Sequence, residues 1–229
     1  MNLAKSFEVF DPSSLRERIH IIGCGAGGST TAEMLARYGL TNITLYDDDV
    51  VDSHNIANQM FRDHDIGAPK VDALKRIMCE INPDAETCIQ AVPRKYEEQE
   101  LNGYVFLCVD NIDVRREIVK RNRYNKAILA VFDSRNRLYD GQLYAADWHS
   151  PKHIKNLLKS MNFSHEEAMR HTPLSGCNLP LSVCPTIRVL QGYGVMNFIN
   201  FVQGKGMKNV IMIDGQETGF DFRVDAYEW

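Results

Sequence analysis

The stretch HIIGCGAGGSTTAEMLARYGL, residues 20–40, constrains the fold more than any other part of the chain. Residues 19–22 are apolar enough for a buried strand, and a helix is predicted over about 27–38. The turn between them has the pattern G-x-G-x-x-G, formed by Gly23, Gly25 and Gly28. Glycines at such a turn let a phosphate approach the free amides at the start of a helix. The stretch therefore predicts a nucleotide-binding unit, and NAD, FAD, S-adenosylmethionine and ATP all fit it.

Strand and helix patterns alternate along the first two thirds of the chain. An amphipathic helix is predicted over 69–81, where proline opens the first turn. Further strands are predicted at 42–47, 85–92, 104–110, 127–133 and 141–148. This alternation is typical of an α/β protein with a doubly wound, parallel sheet. The stretches NVIMID and FDFRVD, on either side of GQETG, predict a closing hairpin. We expect a Rossmann-like, doubly wound, mainly parallel sheet with antiparallel C-terminal strands.

Residues 149–186 form an irregular crossover segment in this pattern. Two short helices are predicted within 150–171. Residues 172–186 contain three prolines and no periodicity, which predicts a loop, and an apolar helix follows over about 185–202. Neither a repeat nor a second core is evident, so one domain is expected over residues 1–229.

The composition disfavours several classes of protein. The net charge is −4, so no basic field attracts nucleic acid, and the basic run at 115–126 is interpreted as a solvated helix face. No apolar run reaches the ~18 residues of a membrane span, and no signal peptide is evident. The cysteines show no disulfide framework, and Cys24, Cys79 and Cys108 are expected to be reduced core thiols. We expect a cytoplasmic protein that binds neither membranes nor nucleic acid.

Acidic residues follow two of the predicted strands. Asp47, Asp48 and Asp49 come at the end of the second strand, and Asp110 ends the fourth. The carboxyl ends of parallel strands meet at one edge of the sheet, where such folds bind ligands. Carboxylates repel a phosphate unless a divalent cation is present, and Mg²⁺ prefers one or two carboxylates together with phosphate oxygens. The acids therefore favour Mg²⁺ with a nucleoside phosphate.

The polar segment HNIANQMFRDHDIGAPK, residues 54–70, adds further side chains to this edge. It carries Asn55, Gln59, Arg62 and Lys70. Arginine and lysine suit the charge of a departing pyrophosphate, a task that a dehydrogenase lacks. Asp47, however, lies 19 residues after Gly28 and also suits the ribose of NAD. A nicotinamide dehydrogenase therefore stays open, although a triphosphate-using enzyme is favoured.

Taken together, the motifs GCGAGGS, LYDDDVVDSHNIANQMFRDHDIGAPK, INP and CVDNIDVRREI resemble the ThiF/MoeB/ubiquitin-activating (E1-like) adenylating superfamily. The resemblance is close over about 15–135, and 172–229 match in layout. It implies a nucleotidyltransferase that uses ATP and Mg²⁺ to activate the C-terminal glycine carboxylate of a ubiquitin-like or sulfur-carrier protein. The products would be an acyl-adenylate and pyrophosphate. The superfamily works as dimers, and a homodimer is expected here.

The resemblance also implies roles for particular residues. Asp47 corresponds to the acid that holds the ribose, and Lys70 to a phosphate ligand. Asp110 corresponds to the catalytic aspartate that binds Mg²⁺, and Arg115 completes its D-N-x-x-x-R pattern. The resulting candidates for nucleotide binding are Gly23, Gly25, Gly28, Asp47, Asp49, Asn55, Gln59, Lys70 and Asn111.

Several features depart from the family pattern. Asn58 stands where a phosphate-binding arginine is usual. Arg62, four residues on, matches a second arginine of the ubiquitin-activating branch and is the candidate replacement. The N-terminal Y-x-R-Q segment, which lends an arginine to a neighbouring subunit, has no clear counterpart. The paired C-x-x-C zinc ligands are absent, so no structural zinc is expected.

Two cysteines are candidates for accepting the acyl group. Cys177 and Cys184 lie in the loop where the superfamily carries a reactive cysteine, and Cys184 directly precedes a predicted helix start, which favours a thiolate. Packing beneath the helix is the alternative. Two other functions also stay open. One is a non-catalytic subunit that completes a partner's site, and the other is a tRNA-modifying dehydratase of the same superfamily.

Overall fold

The computed structural model describes residues 1–215 and 222–229, and one mixed sheet organises them. The strands are β1 (Ile19–Ile22), β2 (Ile43–Tyr46), β3 (Gln90–Val92), β4 (Gly103–Leu107), β5 (Ile128–Asn136), β6 (Asp140–Asp147), β7 (Val210–Asp214) and β8 (Arg223–Tyr227). The helices are α1 (Ala26–Arg37), α2 (Lys70–Ile81), α3 (Ile112–Asn122), α4 (Pro151–Lys159), α5 (His165–Arg170) and α6 (Cys184–Val202). Across the described residues the strand order is β3-β2-β1-β4-β5-β6-β7-β8.

The strand order reverses between β1 and β4. Strands β1 to β5 pair in parallel, so Ile22 lies between Tyr46 of β2 and Leu107 of β4. Strands β6, β7 and β8 are antiparallel additions at one side. This architecture confirms the Rossmann-like class expected from the sequence. A doubly wound sheet binds ligands at the carboxyl ends of the strands beside such a reversal.

Apolar side chains cover both faces of the sheet. On one face, α1, α2 and α6 pack on the strands, and Phe198 of α6 meets the stacked rings of Phe106 and Phe132. On the other face, Ile118 of α3 and Leu157 of α4 belong to a second cluster. Because β1, β2 and β4 are buried along their whole length, their sequences are mostly apolar rather than alternating, with His20 and Thr44 as buried polar exceptions.

Three predicted strand boundaries were wrong. The strand predicted at 85–92 covers only Gln90–Val92, because the amides of Cys88 and Ile89 both donate to the Ala85 carbonyl and close a turn. The fourth strand ends at Leu107 rather than at residue 110. The strand predicted to end at residue 133 runs on to Asn136, paired with β6.

The irregular segment largely follows the prediction. Helices α4 and α5 form in 150–171, while 172–183 has one isolated bridge, between Leu174 and Pro180. The apolar helix begins at Cys184, one residue earlier than predicted. Strands β7 and β8 confirm the closing pair, although most of GQETG lies outside the described residues. In the part of the chain that the structure describes, no helix is long and apolar enough to cross a membrane.

Candidate functional site

The glycine turn lies at the reversal of strand order, between β1 and α1. Gly23 has φ +92°, and a Cβ there would come within 2.7 Å of the backbone of Cys108 and Val109. Only glycine fits this close approach of two chain segments. At Gly25, by contrast, a Cβ would have no described atom within 4 Å apart from those of residues 24–26. The first-turn amides of α1 have no partner within the helix, so the open space beside Gly25 suits an anion.

Asp47 braces the glycine turn from the end of β2. Its Oδ2 accepts a hydrogen bond from the amide of Cys24 at 2.6 Å, and its Oδ1 accepts one from the amide of Asp49 at 2.9 Å. Burial raises the pKa of Asp47, although both amide hydrogen bonds oppose that shift. The carboxylate therefore fixes the loop geometry, and its remaining lone pairs are available to a ligand hydroxyl.

Lys70 is a buried cation beside these acids. Its side chain is 8% exposed, and Nζ donates to Oδ2 of Asp49 at 2.7 Å. The partner carboxylate is 64% exposed. The amide of Lys70 also donates to the carbonyl of Asp49 at 2.9 Å, which ties the start of α2 to the end of β2. A buried ammonium at this edge of the sheet is suited to neutralising a polyphosphate.

The segment before α2 lies over the first turn of α1, where the Met60 amide donates to Oγ of Ser29 at 3.2 Å. Asn55 is buried in a capping turn, with its Oδ1 accepting from the amide of Asp52 at 2.9 Å. Gln59 has a buried Oε1 without a hydrogen-bond partner among the described residues. A buried acceptor without a donor fits a ligand hydroxyl or amino group. Gln59 thus suits a ligand better than Asn55, whose side chain holds its own turn.

Arg62 is not brought to this site. Its guanidinium binds Oε2 of Glu80 at 2.9 Å, near the C-terminal end of α2. Glu80 is ten residues beyond Lys70, which corresponds to about 15 Å along a helix. Asn58 instead turns toward the crossover loop and donates to Oγ of Ser182 at 2.5 Å. The expectation that Arg62 replaces the arginine missing at Asn58 is therefore not supported by the geometry.

Asp110 is exposed in the loop between β4 and α3. Asn111 next to it is the N-cap of α3, and its Oδ1 accepts from the amides of Asp113 and Val114 at 2.9 and 3.2 Å. The Asn111 oxygen is thus used by the helix, which leaves only its amino group for the predicted nucleotide contact. Asp110 is the acid of this loop that is free to meet a ligand or cation.

A carboxylate trio at the end of β2 could hold a cation. Asp47, Asp48 and Asp49 each offer one oxygen, and these oxygens lie within 4.8 Å of one another. Oxygen donors of this kind fit Mg²⁺, which takes few carboxylates and completes its shell with phosphate and water. The trio is an addition to Asp110, the metal ligand expected from the sequence.

The cysteines differ widely in exposure, and all six are free. Cys24 is a buried core thiol as predicted, and Cys79 and Cys108, although only half-buried, are free thiols that pack against the same core. Cys177 is exposed in the crossover loop. Cys184 is half-buried as the first residue of α6, and Nε of Arg188 donates to its Sγ at 3.5 Å.

The sequence analysis missed a buried ion-pair network next to the Asp110 loop. Asp133 of β5 has no exposed surface and binds both Arg115 and Arg135. The interpretation of 115–126 as a solvated face is therefore wrong for Arg115, which is buried. A charge at the end of the apolar run AILAVFD was the available signal, because a buried acid requires a cation.

A profile of the ThiF family matches residues 12–222, nearly the whole chain. The chain belongs to the ThiF family. Several curated relatives are named ubiquitin-like modifier-activating enzyme 5. The protein from Arabidopsis thaliana is 42% identical over 66 residues, 29% of this chain and 15% of the relative. The protein from Drosophila grimshawi is 34% identical over 114 residues, 49% of this chain and 24% of the relative. The ThiF-family chain thus spans a quarter or less of these relatives.

Solved structures show the same fold. PaaA superposes with a TM-score of 0.71 at 17% identity, covering 95% of this chain and 65% of PaaA. E. coli MccB, in a crystal structure with ATP, superposes with a TM-score of 0.67 at 16% identity, covering 95% of this chain and 64% of MccB. The family membership and this shared fold confirm the resemblance drawn from the motifs.

Proposed function

We propose that this ThiF-family chain adenylates the C-terminal glycine carboxylate of a ubiquitin-like or sulfur-carrier protein, with ATP and Mg²⁺. One observation carries the proposal: a buried ammonium, Lys70, is paired with Asp49 just after β2, at the same edge of the sheet as the open glycine turn. A polyphosphate bound at this edge of the sheet would meet both the Lys70 ammonium and the free amides at the start of α1. A dehydrogenase has no need of a buried lysine at the phosphate site, so this arrangement favours ATP over NAD.

In the proposed reaction the carrier carboxylate attacks the α-phosphate of ATP. A bond forms between the carboxylate oxygen and the α-phosphorus, and the bond to the departing pyrophosphate breaks. The α1 amides and Lys70 would hold the phosphates in line and stabilise the charge that develops on them. Asp47 and Gln59 would hold the nucleoside, and Asp110 would hold Mg²⁺. Bound Mg²⁺ would neutralise charge on the phosphates as pyrophosphate leaves.

A second step is proposed at Cys184. Its thiolate would attack the acyl carbon, so that a carbon–sulfur bond forms while the bond to the AMP oxygen breaks and AMP leaves. Cys184 is favoured over Cys177 because it starts a long helix and receives a hydrogen bond from Arg188. Cys177 is exposed, with no described side chain donating to its sulfur. The comparison of Cys184→Ala with Cys177→Ala tests this choice through thioester formation.

A homodimer is proposed through the outer face of α6. Val189, Tyr193 and Met196 recur at helical spacing, and all three are exposed. An apolar helical stripe of this kind is typical of an interface. A non-catalytic subunit is the second candidate function, and it is favoured by one observation. Asn58, at the position of the usual arginine, binds Ser182 instead of pointing a cation at the site.

The test is ATP–pyrophosphate exchange with the purified chain, Mg²⁺ and candidate carrier proteins that end in glycine. Exchange that depends on the carrier and is lost in Asp110→Ala establishes adenylation. Binding of Mg·ATP without exchange for any carrier supports the non-catalytic subunit. Failure to bind Mg·ATP refutes adenylation by this chain and returns the glycine turn to a different nucleotide.

A further inference from the structure

Asp133 is a buried acid with two cationic partners. Its Oδ1 accepts from Nη1 of Arg115, and its Oδ2 accepts from Nε and Nη2 of Arg135 at 2.8 and 2.6 Å. Burial disfavours its charge, but the two guanidiniums outweigh that effect and hold the pKa of Asp133 below its usual value. The carboxylate is therefore ionised, and Asp133 and its two arginine partners together carry a net charge of +1.

Arg115 spans the base of the Asp110 loop. The nitrogen that binds Asp133 also donates to the carbonyl of Leu107 at 3.0 Å. Leu107 is the last residue of β4, and Arg115 is the fourth residue of α3. Residues 108–111, with Asp110 among them, lie between these two points. One guanidinium thus clamps both ends of a four-residue loop.

The far side of the network is also fixed. Arg135 donates to the carbonyl of Ser160 at 2.8 Å and to its Oγ at 3.0 Å, at the end of α4. Its guanidinium stacks on the ring of Tyr144 at 4.3 Å. Asp133 is therefore held in β5 from a second direction, and it cannot shift without breaking contacts to α4 and β6.

A buried ion pair is weak as a source of stability, because an apolar replacement often serves as well. A rigid geometry is what this network supplies. We propose that Asp133 is a positioning residue for Asp110: it orients Arg115 so that the loop 108–111 keeps one conformation when Mg·ATP binds. The inference rests on the proposed function only in assigning a task to Asp110.

Hydrogen exchange of the amides of 108–111 tests this without any activity assay. The substitution Asp133→Asn keeps the shape and removes the charge. We expect at least tenfold faster exchange in 108–111, with β1 amides unchanged. Asp65→Asn is the matched control, because Asp65 is also fully buried and paired with an arginine, Arg76, but in the segment before α2. It should leave exchange in 108–111 unchanged.

Arg115→Lys is the second variant, for the case that Asp133→Asn does not fold. It keeps a cation beside Asp133, so this variant should fold. The single nitrogen Nη1 of Arg115 makes both contacts, and a lysine ammonium ends one bond nearer the backbone than that nitrogen. Lysine therefore should not hold Asp133 and the Leu107 carbonyl at once, and 108–111 should again loosen. In ATP–pyrophosphate exchange, both variants should lose at least tenfold in kcat with less than threefold change in KM for the carrier.

Wild-type protection of 108–111 in the folded variants overturns the positioning role, and so does equal loosening in Asp65→Asn. The proposed function fails separately. If Asp110→Ala retains full exchange activity while Asp133→Asn loosens the loop, the clamp stands and the task assigned to Asp110 is wrong.

Discussion

Replacing Lys70 by methionine should strongly slow adenylation and leave the fold nearly as stable. The substitution removes one charge and keeps the length of the side chain. Within residues 1–215 and 222–229, the one ion pair of Lys70 is with Asp49, a carboxylate that is mostly exposed. An ion pair with an exposed partner contributes at most about 1 kcal/mol to stability. The free energy of unfolding should therefore change by no more than about that amount.

The expected loss of activity follows from the charge that Lys70 would meet. Its Nζ already lies 2.7 Å from a carboxylate oxygen, so a phosphate oxygen can approach as closely. Two unit charges about 4 Å apart at an effective dielectric constant near 20 interact by about 4 kcal/mol. Part of this term exists in the bound ATP ground state, so the gain on pyrophosphate departure is smaller. A fall of about 10²–10³ in kcat/KM is expected.

The assay is ATP–pyrophosphate exchange, alongside urea unfolding of the same preparation. Lys75→Met is the matched control, because it removes the same charge from the next turn of α2. It should keep exchange within about threefold of the wild type. If Lys70→Met exchanges as fast as Lys75→Met while both are folded, the buried ammonium does not act on the phosphates, and the central reason for choosing ATP is refuted.

Three further outcomes are expected. For Gly25→Ala, the free energy of unfolding in urea should stay within about 1 kcal/mol of the wild-type value. The variant should nevertheless lose Mg·ATP binding, because its Cβ would occupy the open space. Unchanged binding by calorimetry would contradict the anion site. Gly23→Ala should instead destabilise the fold by more than about 2 kcal/mol, because a Cβ meets the backbone of Cys108 and the residue needs φ +92°. Burial lowers the pKa of His20 from 6.5 to about 4, so the neutral form is favoured in the fold and its stability is lost as pH falls from 6.5 toward 4. Wild type should therefore lose about 2–3 kcal/mol more than His20→Gln between pH 7 and pH 4.5 in urea unfolding, and parallel losses would disprove this.

Much of the fold follows from local sequence patterns. The strand–turn–helix at 19–38 is predictable because glycine spacing, apolar runs and helix periodicity all agree there. The turn at 85–89 was misread because its apolar residues, Ala85 and Ile89, are buried by a turn rather than by a strand. The extension of β5 to Asn136 could not be predicted from composition. Charged residues that follow an apolar run usually indicate that the strand has ended.

The candidate site is predictable only in part. The positions of Lys70 and of the acids at the strand ends follow from the order of strands and helices. The motifs predict that order, so these positions could be predicted. The direction in which an arginine side chain points depends on which carboxylate is nearest in space. Neither the Arg62–Glu80 pair nor the Arg115–Asp133 pair could therefore be predicted from sequence spacing alone. Asn111 shows the same effect, because a helix start competes for its oxygen.

The close approach of Gly23 to Cys108 and Val109 also orders the folding of a nascent chain. Strand β1 pairs with β4, and their partners Ile22 and Leu107 are 85 positions apart. Loop closure over such a separation makes this pairing slow, and it cannot begin until β4 has left the ribosome. Until then one edge of β1 is unpaired and exposed to other chains. Nucleotide binding therefore cannot precede the synthesis of β4, and ligand capture by truncated nascent chains should appear only once Leu107 has been added and β4 is complete.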